Sequence, residues 1–114
     1  MYSRAGHNVG FDYRFLLEET DRLGLKKDLF PFRHRTIDLH TVAQMHYIMK
    51  KGFQYPKDMG ADFIQGKLGL PIEPTPHIAL NGAIWEAECF ARLLFNRIQY
   101  ADFEPYPIID NPWN

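Results

Sequence analysis

One long run of apolar residues at helical spacing, framed by two proline-punctuated stretches, most constrains what this chain can fold into. Leu80, Ala83, Ala87, Phe90, Leu94 and Ile98 recur every three or four positions, the repeat of one face of an α-helix. The run predicts a helix from His77 or Ala79 to about Ile98 with that stripe buried. Arg92 and Arg97, toward its C-terminal end, suit the helix dipole. Ahead of it, Gly69-Leu70-Pro71-Ile72-Glu73-Pro74-Thr75-Pro76 is a stiff approach, because each proline fixes its backbone and removes a donor. Behind it, residues 102–114 carry Pro105, Pro107 and Pro112 among Phe103, Tyr106, Ile108, Ile109 and Trp113. Such a tail cannot be helical. Its apolar content predicts docking on the body or on a partner rather than free solvation.

Upstream, the pattern is more broken. Residues 2–7 suit a short strand that runs into a loop at Asn8-Val9-Gly10. A helix is expected from about residue 11 to residue 23. Phe11, Phe15, Leu16 and Leu23 fall near one stripe, Gly24 lies just past the end, and Asn8 is placed to cap the start. A loop around Phe30-Pro31-Phe32 leads to a strand over residues 34–39, where Thr36 and Ile37 are good strand formers. Helices follow over residues 41–50, with Val42, Met45 and Met49 at helical spacing, and within residues 57–68, with Phe63, Ile64 and Leu68. The alternation predicts an α/β fold with two strands and about four helices.

At 114 residues the chain has room for one domain. Its 13 basic and 14 acidic side chains leave a net charge of −1, which provides no global attraction to nucleic acid but leaves local phosphate contacts open. The single cysteine, Cys89, cannot form an internal disulfide and lies in the helical run, where it reads as a small core residue. The first residues lack the apolar run of a signal peptide. No stretch reaches the ~18 apolar residues of a membrane span. A reducing, cytoplasmic setting and no membrane association are expected.

Two short segments carry the chemistry. Gly6-His7-Asn8-Val9-Gly10-Phe11-Asp12 sets a carboxylate in the first turn of a helix at a strand–helix junction, where ligand sites of α/β folds gather. His77 follows Pro74-Thr75-Pro76 at the start of the last helix. Asp12 and His77 are of the right types for phosphodiester cleavage. That reaction uses carboxylates around two metal ions about 4 Å apart and a histidine that accepts a proton from water. Taken singly, Asp12 reads as a helix N-terminal acid and His77 as a loop or capping residue; the segments around them favour the chemical reading. His34, His40 and His46 read as surface or packing residues, because His40 and His46 do not share a helix face. Lys50, Lys51 and Lys57 read as solvated, and Trp85 and Phe90 as core.

The first segment resembles the second motif of the DEDDh 3′→5′ exonucleases, the family of the proofreading subunit of bacterial DNA polymerase III, usually written (G)HN-x-x-FD. His77-Ile78-Ala79-Leu80-Asn81-Gly82-Ala83 resembles that family's third motif, H-x-A-L-x-D-A. Between them, Arg35-Thr36-Ile37-Asp38-Leu39 looks like a retained strand of the family. The resemblance spans about residues 5–98. It implies the C-terminal half of a ribonuclease H-like domain over residues 1–101, an α/β fold with two parallel strands at residues 1–7 and 34–39 and about four helices, with residues 102–114 as a Pro/aromatic tail.

By that resemblance Asp12 is a metal ligand for Mg²⁺ or Mn²⁺ and His77 the general base. His7, Asn8 and Phe11 then shape the loop and pack beneath it. The family's last metal-binding Asp falls on Gly82, a departure that removes a ligand. Glu86, one turn further on, is displaced by roughly 5 Å along the axis and cannot replace it in an unchanged geometry. The first motif, D-x-E, belongs well upstream of Gly6, where five residues stand. The implied function is hydrolysis at nucleic-acid 3′ ends, DNA or RNA, with no cutting by the isolated chain. A strand edge left without its family neighbour predicts self-association or a partner chain that supplies the missing strands. The alternatives are a non-catalytic nucleic-acid-binding or protein-interaction remnant, and a truncated reading of a longer gene. An in-frame D-x-E upstream of Met1 would favour the last.

Overall fold

The short β-formers and longer apolar periodicities give a mixed α/β arrangement in the computed structural model, which describes residues 2–29, 31–54 and 56–114. Among these, two parallel strands and four α-helices follow in the order β1 (Tyr2–Gly6), α1 (Val9–Arg22), β2 (Phe32–Asp38), α2 (Leu39–Lys51), α3 (Ala61–Lys67) and α4 (Ala79–Phe95). Turns of 3-10 helix stand at Lys26–Leu29 and Ala101–Phe103. The elements group into two units, Met1–Asp38 and Leu39–Asn114. No helix among the described residues is long and apolar enough to cross a membrane.

In the first unit, β1 pairs in parallel with β2, Arg4 opposite Thr36 and Gly6 opposite Asp38. A parallel pair needs a crossover between its strands, and α1 with the following 3-10 turn supplies it. The pairing is irregular between Tyr2 and Arg4, where the Tyr2 N–H donates to the Pro31 carbonyl at 2.7 Å. The expected loop thus ends at Pro31, and the strand begins at Phe32 rather than His34; Phe30 lies outside the described residues. Gly24, with φ 70°, takes the left-handed turn that ends α1. Beside it, the Leu25 N–H donates to the Thr20 carbonyl at 2.7 Å.

The expected buried stripe of α1 is not buried. Phe11 is 61% exposed, Phe15 59% and Leu23 56%, and among the described residues of this unit only Gly6 and Val9 are buried. Two strands and one helix offer too little surface to cover such a face. Asn8 does occupy the N-cap, but its side chain makes no capping hydrogen bond.

The second unit has a continuous core of Leu39, Ala43, Met59, Ile64, Leu68, Leu70, Cys89, Phe103 and Trp113. Here the sequence expectation for α4 is corrected. Leu80 and Leu94 of the predicted stripe are exposed, and the helix ends at Phe95, with Asn96 at φ 50° as its cap. The face turned inward carries Glu88, Cys89, Ala91 and Arg92. A charged pair can sit there because it is fully bonded. Arg92 Nε donates to Glu88 Oε1 at 3.0 Å, Nη1 to the Leu68 carbonyl at 3.1 Å, and Nη2 to the Tyr106 carbonyl at 2.7 Å. Glu88 Oε2 in turn accepts the Gln99 N–H at 2.9 Å and the Tyr100 N–H at 3.2 Å. Backbone from both flanking stretches meets desolvation that would otherwise cost several kcal/mol per ion.

The tail docks, as its composition predicts. Phe103 packs edge-on against Trp85, ring centroids 4.9 Å apart, while Trp85 Nε1 donates to the Pro71 carbonyl at 2.8 Å. Trp113 is buried and its Nε1 donates to His46 Nδ1 at 2.8 Å. Cys89 is a buried free thiol, pushed up to about 12 by burial first and the neighbouring Glu86 next.

Candidate functional site

Parallel pairing places the carboxyl ends of β1 and β2 on the same side, with Gly6 and Asp38 as register partners. The chain leaves Gly6 through His7 and Asn8. Asn8 takes a left-handed conformation, φ 54° and ψ 39°, one that Asn tolerates better than most residues. This kink starts α1 at Val9 and sets Asp12 in its exposed first turn. The topology therefore brings His7, Asn8, Asp12 and Asp38 to one end of the first unit, the end at which α/β folds hold ligands. Asp12 also sits favourably against the positive end of the α1 dipole. Phe11 stands exposed on the same helix rather than packed beneath the loop.

In the second unit the last residues of the proline-ruled segment lead into α4. His77 is 68% exposed, and its Nδ1 lies 3.5 Å from Glu73 Oε1, whose side chain is only 12% exposed. The first turn of α4 contains no acidic residue, and its N-cap, Ile78, makes no side-chain capping bond. Gly82 is helical there, its N–H donating to the Ile78 carbonyl at 3.2 Å. A Cβ added to Gly82 would stand 3.8 Å from Glu73 Oε1. The carboxylate nearest to the start of α4 thus comes from the preceding segment.

Glu73 escapes motif reasoning because it lies outside the helix, nine positions before Gly82. The available signal was an acid between two prolines ahead of an acid-free helix start, where the dipole favours negative charge. His46 also has more than the packing role read for it, since it accepts the buried indole N–H of Trp113.

Asp12 belongs to the first unit and His77 to the second, and each is placed within its own unit. Among the described residues no three His, Cys, Asp or Glu side chains gather closely enough to hold one metal ion. Gly82 puts no carboxylate on the first turns of α4, where the resemblance implies a metal ligand. No protein-family model matches the chain, no curated protein matches it, and no solved structure matches it.

Proposed function

We propose that this chain is a 3′→5′ exonuclease-family protein, the C-terminal half of a ribonuclease H-like domain, which does not cut nucleic acid with these residues alone. The observation that carries the reading is the strand–loop–helix–strand unit, which delivers His7, Asn8, Asp12 and Asp38 to the carboxyl end of a parallel pair. Ligand sites of α/β folds gather at that end of a sheet, which supports a ligand role for these residues. His77, exposed at the start of α4, offers the proton acceptor that hydrolysis of a phosphodiester needs. Gly82 offers no carboxylate, so the set is short of ligands.

The test is a nuclease assay on single-stranded DNA and RNA carrying a labelled 3′-terminal nucleotide, with Mg²⁺ and, separately, Mn²⁺. The expected result is no release of mononucleotides. Metal-dependent release that disappears in His77→Ala would overturn the proposed inactivity.

A second reading, an interaction remnant, is favoured by the apolar side chains that the first unit leaves exposed, Phe11 and Phe15 on α1 with Phe32 and Ile37 on β2. It predicts concentration-dependent association in sedimentation, weakened by Phe15→Ser. A monomer at all concentrations counts against it.

A further inference from the structure

We infer that Glu73 supplies, from outside the helix, the carboxylate that position 82 lacks, and that it orients the His77 ring. The inference rests on the exonuclease reading for its meaning, but its observations are independent of any activity. Glu73 is flanked by Pro71 and Pro74, in a segment that reaches His77 through Pro76. Prolines limit how far such a segment can rearrange. Its side chain is largely buried while that of His77 is largely exposed. Buried carboxylates are held by specific partners, and here the ring nitrogen at 3.5 Å and the first turn of α4 are both at hand.

A Cβ on Gly82 would stand in ordinary van der Waals contact with Glu73 Oε1, at 3.8 Å, so a carboxylate carried on it would lie beside that of Glu73. An acid at both would set two negative charges side by side, a disfavoured arrangement. Gly82 leaves Glu73 without that like-charged neighbour. The other carboxylate nearby is Asp62 of α3, which lines the same surface depression as Glu73; no other titratable group lines it among the described residues. His77 Nδ1 faces Glu73 at 3.5 Å, an ion-pair distance; a proton held on Nδ1 leaves Nε2 as the proton acceptor, because the partner of one ring nitrogen sets the state of the other. Glu73 is thus a positioning residue for His77.

Two measurements test this on the whole chain. The first is a thermal-unfolding cycle of Gly82→Asp, Gly82→Asn, Glu73→Gln and the double variant Glu73→Gln/Gly82→Asp. Replacing a helical glycine near an N-terminus with Asp normally stabilises, through backbone entropy and the dipole. The expected result is a reversal: Gly82→Asp lowers Tm in the native background and raises it in Glu73→Gln, while Gly82→Asn is insensitive to Glu73. Equal shifts in both backgrounds would show that the Glu73 carboxylate does not stand beside position 82 and would overturn the proposal.

The second measurement is the ring ¹⁵N spectrum of His77 under alkaline conditions. The native chain should hold its proton on Nδ1, and Glu73→Ala should shift it to Nε2. A role for Glu73 at the helix start alone would change Tm and leave the ring signals where they were, which also overturns the proposal. Neither readout uses nuclease activity. A chain that fails the nuclease reading can still pass both, and one that fails both leaves that reading standing.

Discussion

Acidification should loosen the C-terminal tail, and a single histidine should be responsible. Trp113 is buried and donates its indole N–H to His46 Nδ1 at 2.8 Å. That bond requires an unprotonated Nδ1, whereas a protonated ring has donors on both nitrogens. Burial, and then the Lys50 ammonium one turn along α2, hold His46 below the ordinary histidine range. Lys50, Arg92 and Asp110 line the same cavity as His46.

The folded chain therefore binds fewer protons at His46 than the unfolded chain does between the depressed value and the ordinary one of about 6.5. Stability is complete above that window, falls as pH drops through it, and levels off below it. The decline cannot exceed about 1.4 kcal/mol per pH unit for one proton. Loss of the bond with the indole N–H left buried costs about 1–3 kcal/mol.

Trp85 is a built-in control, because its indole donates to the Pro71 carbonyl, which does not titrate. Indole N–H signals followed by NMR from about pH 7.5 to about pH 4.5, a span that covers the histidine range, should show Trp113 moving and Trp85 fixed. In His46→Gln, which keeps an acceptor and removes the titration, the Trp113 response should vanish. A Trp113 response that persists in His46→Gln, or an equal response from Trp85, would refute the reasoning.

Three other expectations follow from the second unit. Arg92→Ala leaves Glu88 buried and unpaired and frees the Leu68 and Tyr106 carbonyls; it should cost about 3–5 kcal/mol in urea unfolding, and a loss under 1 kcal/mol would contradict a buried pair. Gly69→Ala forces a side chain onto φ 78° and brings its Cβ to 3.0 Å from Ile109 Cδ1, so it should lose about 1–3 kcal/mol, visible as a lower Tm. Cys89, buried and with its thiol pushed up to about 12, should resist a thiol reagent in the native chain and react on unfolding; fast labelling under native conditions would show that the core opens.

How far the fold was legible depended on which force decided each element. Gly24, at positive φ, ended α1 where the sequence placed the stop, because only backbone sterics were involved. The α1 stripe of Phe11, Phe15 and Leu23 had the right period for a buried face. Periodicity reports which residues share a face, not whether anything covers it, and in the first unit that face is exposed. On α4 the misreading ran the other way. Arg92, read from the sequence only for its fit to the helix dipole, and Glu88 face the core, where the carbonyls of residues 68 and 106 and the N–H groups of residues 99 and 100 bond them.

The same division holds for the candidate site. The Gly-His-Asn loop, Asp12 and His77 are visible in one dimension, because their chemistry lies in residue type and local spacing. By itself, the sequence determined the α/β alternation, the strand–loop–helix that presents Asp12, the helix behind His77, and the absence of an acid at position 82. Tertiary structure alone decided that the tail closes over the Glu88–Arg92 pair, that Trp113 rests on His46, and that Glu73 stands beside Gly82. Those contacts join residues that no local period connects. Their free energy comes from desolvation and from bonds made only when distant backbone arrives, which a linear pattern does not encode.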